Sequence, residues 1–431
     1  MIFKTYRLII LSALILLSQA AKIKACSMYK ITVDGITMVG CNEDAWRTSS
    51  RIWFENAKEG ERYAAAFTGS RVLSANRTAP QSAMNEAGLV FSRLDAYHPS
   101  QGSPLKERKV IKDKIAYLNQ IMHQCGSIKE VKDFINQYDH SVFYNDVFIY
   151  VDSTGQYLIV EPYQLIEGDE ASYVLANFCP SITTNDQARQ FDRYKHGEAF
   201  INKHGISNSL DYYTALSDTM HVCRSRNGDG TLLTSIWNTQ DLLVNLYFYH
   251  DYETTVQFDI MAELAKGDHS IYIPELFPTN TEFERLKSYK TPFNMPVLRV
   301  ALVFVAGFLC LISFLLILSL FKLRYVDNYF RSIMWIGILN FLLTAYIFVL
   351  CTNSYIYYFD APFKHYSSDL ISASSYMPFV LVLALIPISI FMYYQLKSNN
   401  TSSWIKSLLI SNQLIYLLLV CAFVYWGLYS V

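Results

Sequence analysis

Cys26-Ser27-Met28-Tyr29-Lys30-Ile31-Thr32-Val33-Asp34-Gly35-Ile36-Thr37-Met38-Val39-Gly40-Cys41-Asn42-Glu43-Asp44-Ala45-Trp46 is the stretch on which the reading of this chain turns. Asp34-Gly35 is a strong signal for a type I′ turn, which needs φ > 0 at both central residues. Two β runs flank it, Met28–Val33 and Ile36–Val39. A tight hairpin returns the end of its second strand to the start of its first. Asp44 is therefore expected beside Cys26.

Upstream of this stretch lies an export signal. Lys4 and Arg7 give a positive n-region, Leu8 to Ala20 an apolar h-region, and Ala25 a small residue before a cut. Cleavage after Ala25 makes Cys26 the first residue, with a thiol and a free α-amine on one amino acid. An α-amine titrates near 7.7–8.0, roughly where a general base for neutral pH should. A thiol near 8.5 is readily activated by such a base, at about that pKa or below. Two other fates suit a first Cys: lipid attachment, against which Lys24 stands where a small residue is wanted, and a disulfide with Cys41, Cys125, Cys179 or Cys223.

Downstream, 52% of the 431 residues are hydrophobic and only 17% charged, a deficit of charge that points to a membrane and excludes disorder. Lys+Arg 36 against Asp+Glu 37 leaves nothing to attract nucleic acid. The apolar excess sits in four uncharged runs: 300–321, 333–352, 371–396 and 408–431. Each has the length a spanning helix needs. Lys322, Arg324 and Arg331 lie between the first two runs, Lys397 and Lys406 between the last two, and only Lys364 between the middle pair. The positive-inside rule places the first and third loops in the cytoplasm and the segment before Val300 outside. The chain is thus expected to be a multi-pass protein of the cell membrane with an exported domain on the periplasmic or extracellular side.

The expected domains are a signal peptide over 1–25, the exported domain over 26–296 and a four-helix membrane domain over 297–431. Within the exported part, Val147–Val151 and Tyr157–Val160 flank Ser153-Thr154-Gly155 as a second hairpin. Leu232–Tyr249 and Thr254–Phe258 read as late strands. Helical periods run over Val110–His123, Ile128–Tyr138 and Ala188–Lys203. Strands, then helices, then strands predict an α+β fold with antiparallel sheets.

An N-terminal Cys, a hairpin, and Gly40-Cys41-Asn42-Glu43-Asp44 followed by Trp46 resemble the choloylglycine hydrolase and penicillin V acylase family of N-terminal nucleophile hydrolases. Met84-Asn85-Glu86-Ala87-Gly88-Leu89 is similar to a second family segment, and Val174-Leu175-Ala176-Asn177-Phe178-Cys179-Pro180 to a third. The resemblance covers roughly Cys26 to Phe258 and leaves out the membrane runs. It implies a four-layer αββα domain, no cofactor, and hydrolysis of a small linear acyl amide. In that scheme Cys26 is the nucleophile and its amine the base, and Asp44 positions the amine. The Asn177 side chain and the Asn85 backbone N–H bind the oxyanion. An Arg follows the Asn-bearing strand, and Arg189 and Arg193 are both candidates for it. The family's Gly-Arg-Asn pattern has Cys41 in place of its Arg, which removes a cation that would acidify the Cys26 thiol.

Each of these residues also has an ordinary structural use. Asp44, Asn85 and Asn177 suit turns and caps, and two arginines four apart share a solvated helix face. Acyl transfer from the same site, or a non-enzymatic sensor built on a degenerate hydrolase domain, are the other functional readings. His221-x-Cys223 and His123-x-Cys125 carry metal-ligand types without a second pair at ligand spacing, so no metal site is expected.

Overall fold

The computed structural model describes residues 26–45, 48–72, 77–99, 107–223, 230–320, 327–358, 362 and 368–429. The expected signal segment, Trp46 and the loop residues Lys322, Arg324 and Lys364 lie outside them. Contacts divide the chain into two compact units, one ending at Ser288 and the other running from Tyr289.

Among the described residues, the first unit has sixteen strands. They are β1 (Ser27–Val33), β2 (Ile36–Ala45), β3 (Ser50–Glu55), β4 (Ala65–Val72), β5 (Arg77–Asn85), β6 (Val90–Asp95), β7 (Lys109–Val110) and β8 (Tyr138–Asp139), then β9 (Asp146–Val151), β10 (Tyr157–Val160), β11 (Leu165–Gly168), β12 (Ser172–Leu175), β13 (Gly230–Asn238), β14 (Leu243–Phe248), β15 (Asp251–Asp259) and β16 (His269–Tyr272). One sheet has six strands in the order β12-β1-β2-β13-β14-β15, the other eight in the order β11-β10-β9-β6-β5-β4-β3-β16. β7 and β8 form a short parallel pair of their own. Pairing in both large sheets is antiparallel, from β1 against β2 to β9 against β10. Asp34 and Gly35 adopt φ 53° and 80°, the type I′ geometry their sequence predicts.

Helices α1 (Lys114–Gln124) and α2 (Ile128–Ile135) cover the eight-stranded sheet. Asp113 caps α1 by accepting from the Ile115 and Ala116 amides, which fixes where the helix starts. Leu118, Ile121, Met122 and Val131 pack on Phe67, Phe91, Phe148 and Leu158. After the single turn α3 (Asn185–Ala188), helices α4 (Asp192–His204) and α5 (Leu210–Met220) cover the six-stranded sheet. There Tyr213, Leu216 and Met220 pack on Tyr29, Ile31 and Ile236. The remaining faces of the two sheets meet each other. The Ser82 hydroxyl of β5 lies 2.9 Å from the Ser235 hydroxyl of β13, and Thr68 of β4 donates to Glu43 of β2. The layers run helix, sheet, sheet, helix, and the fold is α+β with antiparallel sheets.

Several sequence expectations shift in detail. Leu232–Tyr249 is a hairpin of β13 and β14 rather than one strand, turned through Leu242 at φ 54°. The helical run expected over Ala188–Lys203 is broken between α3 and α4. Strands β3 to β6, although buried, lack the clean alternation that marks a strand in sequence, because both faces of their sheet are covered.

Short helices α6 (Ile260–Leu264) and α7 (Thr281–Ser288) close the first unit. In the second, four helices are long and apolar enough to cross a membrane: Pro296–Leu320, Tyr329–Thr352, Asp369–Lys397 and Ser403–Tyr425. The third contains a break, giving Asp369–Ser374 and Met377–Lys397; Pro378 has no N–H to bond the Ser374 carbonyl four residues back, where the first segment ends. Phe304, Phe308, Phe341, Phe348 and Leu418 point outward, a costly display in water and a natural one in lipid. Within the bundle Asn340 donates to Asn412 at 2.8 Å and to Ser313 at 2.9 Å, and accepts from Tyr416 at 2.6 Å. This is a membrane protein by length and composition of its helices.

Candidate active site

The hairpin does what its sequence requires. Ser27 pairs with Asn42 and Met28 with Cys41, so Cys26 falls at the level where β2 reaches Glu43 and Asp44. Gly40 is forced by the same pairing, since a Cβ there would lie 2.1 Å from the Tyr29 ring. The Cys26 sulfur is 3.8 Å from the Asp44 carbonyl oxygen and 3.5 Å from Nε2 of Gln81, which donates its other bond to the Arg93 carbonyl at 2.7 Å. The sulfur thus sits between the sheets, held from both.

Asp44 turns its carboxylate the other way, toward the helix layer. Arg193, the second residue of α4, donates to Oδ2 of Asp44 and, through its other terminal nitrogen, to Oδ1 of Asn177 at 2.8 Å. Thr231 of β13 donates to Oδ1 of Asp44 at 2.7 Å, and Asn177 donates to the Asp95 carbonyl at 2.8 Å. Arg193 and Asp44 are both almost fully buried, with side chains 5% and 2% exposed. A planar guanidinium is suited to joining two acceptors in this way, where a lysine ammonium would meet only one geometry.

The electrostatics oppose a resting thiolate. Burial, with the Asp44 and Glu43 carboxylates adding to it, pushes the Cys26 thiol up to about 12, and Arg193 offsets this only in part. Cys41, on the next strand, is buried as well. Its own thiol is also pushed up to about 12 by burial, among Ser82, Ser92 and Ser235. Glu43, between the sheets, is pushed up to about 7 by burial despite the hydroxyls of Thr68 and Ser82 that it accepts from. Asp95 also rises to about 7, through burial first and then its neighbour Asp146.

The structure brings Cys26, Asp44, Asn177 and Arg193 together and places the other two candidates elsewhere. Asn85 lies apart from this cluster. Its Nδ2 donates to the Met122 and Cys125 carbonyls at 2.8 and 2.7 Å, its Oδ1 accepts from Ala87 and Leu89, and its backbone N–H is bonded to the Leu89 carbonyl at 3.1 Å. Asn85 fastens the turn before β6 to the end of α1, and it lies four residues along β5 from Gln81, roughly 13 Å at strand rise. Arg189 lies on the surface with Glu198 at 2.9 Å, so of the two arginines only Arg193 reaches the cluster.

Gln81, Thr231, Glu43 and Asp95 are members of the site that sequence reasoning missed. Gln81 occupies a β-bulge. Thr68 pairs with Ser82 and Gly69 with Pro80, which leaves Gln81 opposite nothing and frees its side chain from the strand's alternation. Pro80, which cannot donate to the ladder, was the available signal. A second bulge, between Thr231 and Leu233, aims Thr231 at Asp44. No disulfide links the cysteines, so Cys26 keeps its thiol.

No protein-family model matches the chain, and no curated protein matches it. Among solved structures, it is similar to two variants of the conjugated bile acid hydrolase from Clostridium perfringens. The identities are 15% and 16%, each alignment covers 59% of this chain and 97% of the other, and both TM-scores are 0.45. It is also similar to penicillin V acylase from Agrobacterium tumefaciens, at 13% identity over 52% of this chain and 83% of that one, with a TM-score of 0.39.

Proposed function

We propose that the first unit is an exported, membrane-tethered amidase that hydrolyses the C–N bond of a small linear amide with Cys26 as nucleophile. The observation that carries this reading is the position of the Cys26 sulfur, between the Gln81 amide and the end of β2, with buried Arg193 linking Asp44 to Asn177. Processing after Ala25 frees the α-amine, and Asp44 orients it. Because the thiol is held protonated, the proton leaves the sulfur as the sulfur attacks, and the amine accepts it. The S–C bond forms, and the carbonyl π electrons move onto oxygen. Gln81, whose amide lies at the sulfur, takes an oxyanion role, with Asn177 as the second amide donor. Collapse breaks the C–N bond as the ammonium returns its proton to the leaving amine. Water then cleaves the thioester and releases the acid. An amine in place of water makes the same site an acyltransferase.

The four apolar helices keep the site at a bilayer, which favours a lipid-like acyl group, and the loop charges put the unit on the outer face. The test is incubation of membrane lipid extracts and simple N-acyl amines with the detergent-solubilised chain and with Cys26→Ala. Release of free amine by the wild type alone supports the reading. Identical product profiles contradict it and favour a non-enzymatic sensor, a reading to which the missing cation at Cys41 lends its support.

A further inference from the structure

His221-x-Cys223 is too short a pattern to make a metal site, but the fold supplies what the sequence withholds. β14 and β15 are joined by a two-residue turn, Tyr249-His250, whose φ values are 57° and 47°. Both are in the left-handed region that non-glycine residues rarely occupy, and neither is the Asn or Gly such a turn prefers. Backbone strain of this kind concentrates where a side chain must be aimed. Here it aims His250 at Glu282, in the first turn of α7, with Nε2 2.9 Å from Oε2. The Cys223 sulfur is 3.7 Å from that same oxygen. One ligand atom from each of the three side chains lies within 4.8 Å of the others.

We propose that Cys223, His250 and Glu282 form a zinc site, unrelated to the Cys26 chemistry, that clamps α7 to the β14–β15 turn and to the segment entering β13. A tetrahedral Zn2+ with ordinary bond lengths sets its nitrogen and oxygen ligands about 3.4 Å apart and its sulfur and oxygen ligands about 3.6 Å apart. The nitrogen–oxygen and sulfur–oxygen pairs stand within about half an ångström of those separations already, and the nitrogen–sulfur pair lies within 4.8 Å. Thiolate, imidazole and carboxylate together select zinc over magnesium or calcium, which want oxygen alone. His250 and Glu282 also line an open cavity of about 850 Å³ together with Asp211, Asp218, Asp251 and Glu253, which leaves room for a water ligand and an electrostatic path for a cation. His221 backs the site: its ring stacks on that of His250 at 5.7 Å, and its Nδ1 is hydrogen-bonded to the Asp218 backbone carbonyl, with the Asp218 carboxylate 3.0 Å away. The clamp also bears on the strand that supports Asp44. Val222, adjacent to Cys223, donates its N–H to the Thr231 hydroxyl at 2.9 Å.

The experiment is titration of the full-length, detergent-solubilised, chelator-treated chain with ZnCl2, followed by calorimetry and thermal unfolding, and then with CoCl2, followed by absorption. One equivalent of Zn2+ is expected, with a rise in Tm. The Co2+ form should show the bands of a tetrahedral ion and a thiolate charge-transfer band. Cys223→Ser, His250→Gln and Glu282→Gln should each weaken binding at least about tenfold, and Cys223→Ser should remove the thiolate band. The metal-free circular dichroism of each variant establishes that it has folded, and any one of the three that folds suffices to decide. Absence of binding, or binding that none of the folded variants weakens, the mark of an adventitious ion only, would overturn the proposal. Loss of amidase activity has no bearing on it.

Discussion

Arg193 is the residue on which the site's geometry depends. It spans Asp44 and Asn177 from inside the protein, and removing one partner of such a buried pair leaves the other charge without compensation. Arg193→Ala should destabilise the first unit by about 3–5 kcal/mol and abolish turnover. Arg193→Lys should restore much of the stability but little of the activity, because one ammonium does not reproduce the fork. Arg189→Ala, on the surface, should leave both unchanged. Denaturation followed by tryptophan fluorescence, together with initial rates, separates these outcomes. Gln81→Leu keeps the strand but removes the amide at the sulfur, and kcat should fall roughly 10²–10³-fold with KM little altered, the cost of one oxyanion donor. Glu43 sets a pH dependence. In the folded chain its carboxyl titrates near 7, against an ordinary 4.5, so between those values the folded state holds more protons than the unfolded. Stability from this group is therefore complete below about pH 4.5 and is lost as pH rises through 7, by about 3 kcal/mol in all. Glu43→Gln should flatten that slope in denaturation curves measured across the window. An unchanged slope would show that Glu43 is ionised throughout.

At the scale of elements, the β1–β2 hairpin was legible because its signals are local: a two-residue turn with its own dihedral demands, flanked by β-branched runs. Asp44 beside Cys26 followed from that alone. The Asn177 and Arg193 positions came from resemblance, and the choice of Arg193 over Arg189 waited for the start of α4, since both lie in one short segment and only the helix phase decides which turns inward. Asn85 could not be assigned from sequence alone, because Asn before Glu-Ala-Gly reads equally as a loop and as a site, and its hydrogen bonds to the end of α1 are tertiary. Gln81 had only Pro80 beside it as a local signal, because a bulge is a property of two strands, and pairing with β4 is what creates it. Gly69 is the other half of that bulge: a Cβ there would lie 2.0 Å from the Ala79 carbonyl oxygen. Gly69→Ala should therefore push β5 away, lower Tm and reduce activity more than its effect on stability explains. Activity measured well below Tm tests this, and full activity there would separate the bulge from catalysis.

At the scale of the whole molecule, the membrane helices were the easiest part to read, since a run of twenty uncharged residues needs no tertiary information. What the sequence did not reveal is the polar contact at their centre, because an isolated Asn in an apolar run carries no partner with it. Asn340→Leu should destabilise the bundle by roughly 1–2 kcal/mol, since it leaves Tyr416 and Asn412 short of a partner in a medium without water. Unfolding in mild detergent measures it. The two units share one chain, and the account requires that the first be processed at its start and not merely exported. The most direct test is mass spectrometry of the protein purified from membranes after exposure to an electrophilic acyl-amide probe. The account predicts an N-terminal peptide that begins at Cys26 with a free amine and carries the acyl group on its sulfur. A terminal peptide that retains Ala25, or an acyl adduct confined to another cysteine, would contradict it.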